Sequence, residues 1–186
     1  MQDDLQLIDQ FKNNSKSAFE KLYIRYAGKM KSVAYRYTGN RDEAEDVLHD
    51  AFIKVYEKIN SLKDNSLFEG WLRRIVVNQA LDFLKAKKKL REITNESVQL
   101  NANSESEERS PYEGISSREL METLEKLPMG YKMIFNLCVI DGFQHKEVAE
   151  RLGISEGTSK SQLAKAKLFL RNLLSEKIRV DAKNVA

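Results

Sequence analysis

Apolar residues recur every three or four positions through most of the chain, the period that gives an α-helix one buried face. Leu5, Leu7, Ile8 and Phe11 predict a short first helix. Phe19, Leu22, Tyr23, Tyr26, Met30, Val33 and Tyr37 form one side of a second, opened by Ser17 with Glu20 at capping-box spacing and closed by Gly39. Asn40, again with a glutamate (Glu43) three residues on, predicts the cap of a third helix. Its apolar side is Ala44, Val47, Leu48, Ala51, Phe52, Val55 and Ile59. After a break at 63–65, Ser66 and Glu69 predict the start of a fourth helix, from about 67 to 90 or 91.

The pattern stops at residue 93. Residues 93–115 are polar, acidic and poor in large apolar side chains, so they cannot bury enough surface to fold alone and are predicted to be a flexible linker. Periodicity then resumes. Ser116 and Glu119 open a helix with Leu120, Leu124 and Leu127, stopped by Pro128, and a further helix over 129–140 is expected to end at Gly142. Next, 145–152 reads as a short helix with Val148, Ala149 and Leu152 on one side. Gly153 supplies the left-handed residue that ends it, and Ser155 is placed to cap its successor. A short helix, a glycine turn and a longer helix make a helix-turn-helix.

Winding that last helix at about 100° per residue separates its faces. Ser159, Leu163, Ala166, Leu170, Leu173 and Leu174 share one side, while Lys160, Ser161, Ala164, Lys165 and Arg171 lie opposite. An amphipathic helix with a solvated lysine side accounts for the same pattern. The small residues Ser161 and Ala164, which let a helix approach a groove closely, favour duplex DNA.

The fold class expected is all-α: two small helical domains joined by a flexible linker, the second containing the helix-turn-helix. The boundaries are 1–92, linker 93–115, 116–175, and a tail at 176–186 that frays from Val180. Eight glycines and two prolines in 186 residues argue against an all-β fold. A net charge of +3 is small, so affinity for nucleic acid must come from local clusters. The acidic, amphipathic start is unlike a signal peptide, and no apolar run approaches the roughly 20 residues of a membrane span, so a cytoplasmic protein with no membrane insertion is expected. Cys138, the single cysteine, sits in an apolar run and reads as a buried, inert thiol.

Candidate chemistry concentrates in two further stretches. The third helix carries Asp42, Glu43, Glu45, Asp46 and Asp50 on its outer side, a partner-binding or solvated face. The fourth combines Phe68, Trp71 and Phe83 with Arg73, Arg74, Lys85 and Lys87–Lys89, the cations and rings a single-stranded nucleic acid needs. For each ring taken singly, burial in the core is the default. His49 and His145 stand in no metal-ligand spacing, and no phosphate-cradling loop or nucleophile motif is present. No metal, no cofactor and no catalytic residue is expected.

Together these stretches resemble the extracytoplasmic-function group of bacterial RNA polymerase sigma factors. NRDEAEDVLHDAFIKVYEKI is similar to the helix that docks on the coiled coil of the polymerase β′ subunit, which implies polymerase contacts at Asp42, Glu45, Asp46 and Asp50. FEGWLRRIVVNQALDFLKAKKK is similar to the helix that reads and melts the minus-ten element. Its implied single-strand contacts are Trp71, Arg74, Asn78 and Lys85, with a base-capture loop at 62–69. The final domain resembles the minus-thirty-five module, implying duplex contacts at Ser155, Thr158, Lys160, Ser161, Ala164, Lys165 and Arg171. Where the family commonly has valine this chain has Ser159, and lysines stand at 165 and 167 in place of arginines, which weakens bidentate guanine reading. The implied partners are core RNA polymerase, promoter DNA and an anti-sigma factor. The competing reading is a stand-alone helix-turn-helix regulator of duplex operators, which leaves the acidic and basic-aromatic helices unemployed.

Overall fold

The structure, a computed structural model, describes residues 2–87, 123–124 and 126–184, with side chains described through Leu174. The chain divides into two compact units, Met1–Leu90 and Arg91–Ala186. The predicted linker at 93–115, the helix start at Ser116, and Lys88, Lys89 and Arg91 lie outside the described residues.

Unit 1 contains α1 (Gln2–Lys12), α2 (Lys16–Thr38), α3 (Arg41–Lys58) and α4 (Phe68–Ala86), with 3₁₀ turns at Ile59–Ser61 and Asn65–Leu67. Most of the expected apolar positions converge on one core, in which Ile8, Leu22, Met30, Val47, Phe68, Leu72 and Leu84 are buried, while Leu5 and Tyr23 stand exposed. Asn40 caps α3 as expected, accepting from the Asp42 and Glu43 amides at 2.9 and 3.0 Å.

Two other caps differ from expectation. Asn14 takes φ +65° and the Ser15 amide reaches back to Gln10 O at 3.0 Å, so α1 closes late enough to bring Ser15 to the cap. Ser15 Oγ, not Ser17, accepts from the Ala18 amide at 3.3 Å. Before the fourth helix, Asp64 caps the 3₁₀ turn Asn65–Leu67: its carboxylate accepts from the Ser66 amide at 2.8 Å and from Ser66 Oγ at 2.7 Å, and α4 itself starts at Phe68 with no side-chain cap at the expected Ser66. A charged oxygen is the stronger acceptor for these amides. Glu69, freed from a capping role, pairs with Lys29 of α2. α4 runs to Ala86, where the Lys87 amide bonds to Phe83 O at 3.1 Å, and the expected end at 90 or 91 lies outside the described residues.

Unit 2 contains α5 (Met129–Phe135), α6 (His145–Leu152) and α7 (Glu156–Asn184). Its core joins Leu124, Leu127, Tyr131, Phe135, Ala166 and Leu170. The helix expected over 129–140 is not uniformly α: it widens into a π turn at Asn136–Ile140, with Asp141 N bonded five residues back to Asn136 O at 2.9 Å. The wider turn shifts the helical phase, leaving Leu137 buried and Val139 48% exposed. Gly142 then ends it at φ +71°. The tail expected to fray from Val180 instead continues α7 to Asn184, as no glycine or proline interrupts it. Among the described residues no helix is long and apolar enough to cross a membrane.

Candidate nucleic-acid interface

The turn between α6 and α7 is fixed at both ends. Gly153 sits at φ +68°, and its amide and that of Ile154 both reach back to Ala149 O, the latter at 3.1 Å. With a Cβ this residue would be strained in the left-handed region. At the other end Ser155 Oγ accepts from the Thr158 amide at 2.9 Å and lies 2.8 Å from Thr158 Oγ1. Both residues expected to touch DNA here therefore already serve the cap.

Polar contacts also hold α6 against α7. Ser159 is fully buried, and its hydroxyl lies 2.9 Å from His145 Nδ1, which in turn lies 3.7 Å from Cys138 Sγ. That contact explains a serine on the packing face: a buried hydroxyl costs stability unless it is hydrogen-bonded. The Cys138 thiol is pushed up by burial, against the opposing Ser159 hydrogen bond and Lys167 charge.

The outer side of α7 exposes Lys160, Ser161, Ala164 and Lys167. Lys165 and Arg171, also expected to contact duplex DNA, are half-buried, while Lys167 is exposed beside Lys160 and Ala164. The exposed donors are partly engaged. Lys160 pairs with Glu156 at 2.8 Å, and Ser161 Oγ donates to Thr158 O at 3.1 Å.

In unit 1, Trp71, Arg74, Asn78 and Lys85 fall along one side of α4, with Arg74 and Lys85 exposed and Trp71 and Asn78 half-buried. Phe68, offered as a stacking ring, is core: it is 1% exposed, 5.4 Å from the Tyr26 ring and 6.1 Å from Trp71. Phe83 is half-buried under the Lys87 ammonium, 4.9 Å from the ring centroid. Asn78 Oδ1 is buried without a hydrogen-bond partner. Such an atom costs roughly 1–3 kcal/mol unless something satisfies it.

On α3, Asp42, Glu45, Asp46 and Asp50 are all exposed, as expected. Glu45 is engaged by Lys31 at 2.5 Å, which holds its carboxyl below the usual range, and Asp50 accepts from Gln79 at 3.3 Å. Among the described residues Asp42 and Asp46 form no ion pair. Glu43 is not part of this face: it turns inward to Lys87 of α4 at 2.8 Å. No group of three or more histidine, cysteine or acidic side chains able to hold a metal occurs among the described residues.

Beside the acidic residues lies a feature that sequence reasoning missed. An apolar groove of about 710 Å3 opens between α2 and α3, lined by Phe19, Tyr23, Ile24, Phe52, Ile53 and Tyr56. Ile24 is 78% exposed and Ile53 48%. The signal was present as apolar residues off the core-facing stripe, Ile24 and Ile53 in particular.

Comparison with known proteins places these two units. The Sigma-70 region 2 family matches residues 22–90, and the Sigma-70, region 4 family matches residues 117–170. The ECF RNA polymerase sigma-E factor of Escherichia coli (strain K12) is 30% identical over 185 residues, covering 95% of this chain and 96% of that protein. The ECF RNA polymerase sigma factor SigE of Mycolicibacterium smegmatis is 27% identical over 161 residues, which is 86% of this chain. The chain spans 62% of that relative's length. Among solved structures, CnrH in complex with the cytosolic domain of CnrY shares the fold at a TM-score of 0.50, with 22% sequence identity over 93% of this chain and 97% of that one.

Proposed function

This chain belongs to the extracytoplasmic-function group of RNA polymerase sigma factors, and from that premise we propose how its two units divide the work of initiation. The chain directs transcription initiation as a sigma factor. A stand-alone operator-binding regulator has no use for a region 2 unit, so that reading is set aside.

In the proposed division, α3 docks on core polymerase through exposed Asp42, Glu45, Asp46 and Asp50, with the neighbouring groove taking apolar side chains of the same partner. Charge complementarity around an apolar centre suits a specific interface. The α4 side bearing Trp71, Arg74, Asn78 and Lys85 engages the melted minus-ten strand, and residues 62–69 receive an extruded base. In unit 2, Lys160, Ser161, Ala164 and Lys167 enter the minus-thirty-five major groove, with Lys165 and Arg171 at its edge. Ser155 and Thr158 contribute by holding the start of α7. An anti-sigma protein covering the docking faces is the remaining partner, and the cytoplasm is the site of action.

The observation that carries this reading is the exposed acidic face beside an open apolar groove on a unit whose core is otherwise complete. Run-off transcription with core polymerase on a panel of candidate promoters tests it. Promoter-dependent transcripts are expected only when the chain is added. Tight, sequence-specific duplex binding by the chain alone, with no transcripts, would contradict it.

A further inference from the structure

Helix α1 lies outside the region 2 match at 22–90, yet it is fastened to the loop that leads into α4. Lys12 Nζ donates to Leu62 O at 2.6 Å and to Asn65 Oδ1 at 2.6 Å. Asn65 Nδ2 donates in turn to Asp9 Oδ1 at 2.5 Å. One half-buried ammonium thus grips the loop at two points three residues apart, and Asp9 holds the second point from the next turn of the same helix.

Each end of this connection is itself anchored. Leu7, Ile8 and Phe11 bury α1 in the core, and Asp3 and Asp4 pair with Arg25 of α2. In the loop, Leu62 is buried and Asp64 closes the 3₁₀ turn through Ser66, while Leu67 stands 62% exposed at the start of α4. The loop is therefore held from beneath and open above.

We propose that Lys12, with Asp9 and Asn65, is a positioning latch that fixes the 62–67 loop in the conformation that receives an extruded promoter base. This rests on the reading of residues 62–69 as the base-capture loop. Lys12 does not touch the base. It removes the ordering cost that a free loop would impose at each capture, so its loss lowers the fraction of competent loops.

The test uses the full chain with core polymerase on a promoter it transcribes, intact or with single abasic sites along the upstream half of the melted non-template strand. Wild type is expected to lose open complexes at one abasic position; no loss at any position would overturn the loop reading and the latch with it. Lys12→Met is expected to form about tenfold fewer open complexes on the intact promoter and to match wild type at that abasic position. Lys12→Arg, which keeps a cationic donor, is expected to recover most of the loss. Should Lys12→Met fold poorly, Asn65→Ala provides the same comparison from the other side of the latch. An equal defect on intact and abasic promoters, with wild type still sensitive to the missing base, would overturn the latch alone.

Discussion

The two units prepare for nucleic acid in opposite ways. Unit 2 uses its polar side chains to build the reading element: Ser155 and Thr158 cap α7, and His145 meets Ser159 across the helix pair. What it leaves outward is a stripe of lysines and small residues. Unit 1 builds its core almost wholly from apolar and aromatic contacts, and leaves two buried side-chain oxygens unpaired on α4, Asn78 Oδ1 and Gln79 Oε1. Duplex DNA presents its groove edges ready-made, so a rigid stripe suffices. A melted strand presents unstacked bases, and an unsatisfied amide near the contact side has something to gain only when a base arrives. Under the proposed division, specificity in unit 2 would reside in placement and in unit 1 in completion.

The largest expected effect concerns the exposed acidic face of unit 1. Reversing Asp46 and Asp50 to lysine should weaken core polymerase association by about 100-fold, because like charges then face the basic partner at a cost of several kcal/mol. Circular dichroism should be unchanged, since both residues are exposed. Unaltered binding by a folded variant would remove the docking assignment.

Next comes the unpaired amide. Asn78→Ala should reduce promoter opening by about tenfold to 100-fold, corresponding to roughly 1–3 kcal/mol of unmade hydrogen bonding. The same variant should melt no lower than wild type by more than about 1 kcal/mol, since it also removes a buried unpaired oxygen. A large loss of stability would mean that Asn78 is structural and would erase the contrast between the units.

A smaller effect probes the stripe. Lys160→Ala and Lys167→Ala should each reduce the salt slope of upstream duplex engagement by about one unit if they meet phosphates. Lys165→Ala should change it less, being half-buried. Glu156→Gln should strengthen binding slightly by releasing Lys160 from its 2.8 Å pair.

Smallest is a pH effect at the loop. Asp64 is held below its ordinary pKa of 3.8 by the Ser66 side-chain and backbone hydrogen bonds, with a lesser contribution from Lys12. A depressed folded-state pKa stabilises above the unfolded value and is lost as pH falls through the folded one. The melting-temperature difference between wild type and Asp64→Asn should therefore be constant near neutrality and shrink below about pH 4. A difference that grew on acidification would contradict the assignment.

Much of this architecture was legible in the sequence because period and caps agree. Asn40, Gly153 and Ser155 act where the pattern placed them, and the apolar faces of α2, α3 and α4 supply the core, with Tyr23 left exposed in the groove. The errors have local causes. Ser15 and Ser17, two positions apart, compete for the α2 cap and are separated only by how the preceding turn closes, while before α4 Asp64 caps a 3₁₀ turn that the pattern did not reveal. The π turn at Asn136–Ile140 has no composition signal. At the candidate site, helical winding found the exposed lysines and acids, but not that Glu43 turns inward to Lys87 or that Lys165 is half-buried. Nor did winding reveal the groove, whose walls come from two helices.

Permanganate footprinting of the polymerase-bound promoter, as duplex and as a pre-melted bubble, tests the division between the units most directly. Lys167→Ala and Asn78→Ala should both reduce reactivity on the duplex. Pre-melting should restore Lys167→Ala almost fully and Asn78→Ala only in part, because the bubble supplies opening but not the missing base contact. Equal rescue of both variants, or fuller rescue of Asn78→Ala, would contradict the account.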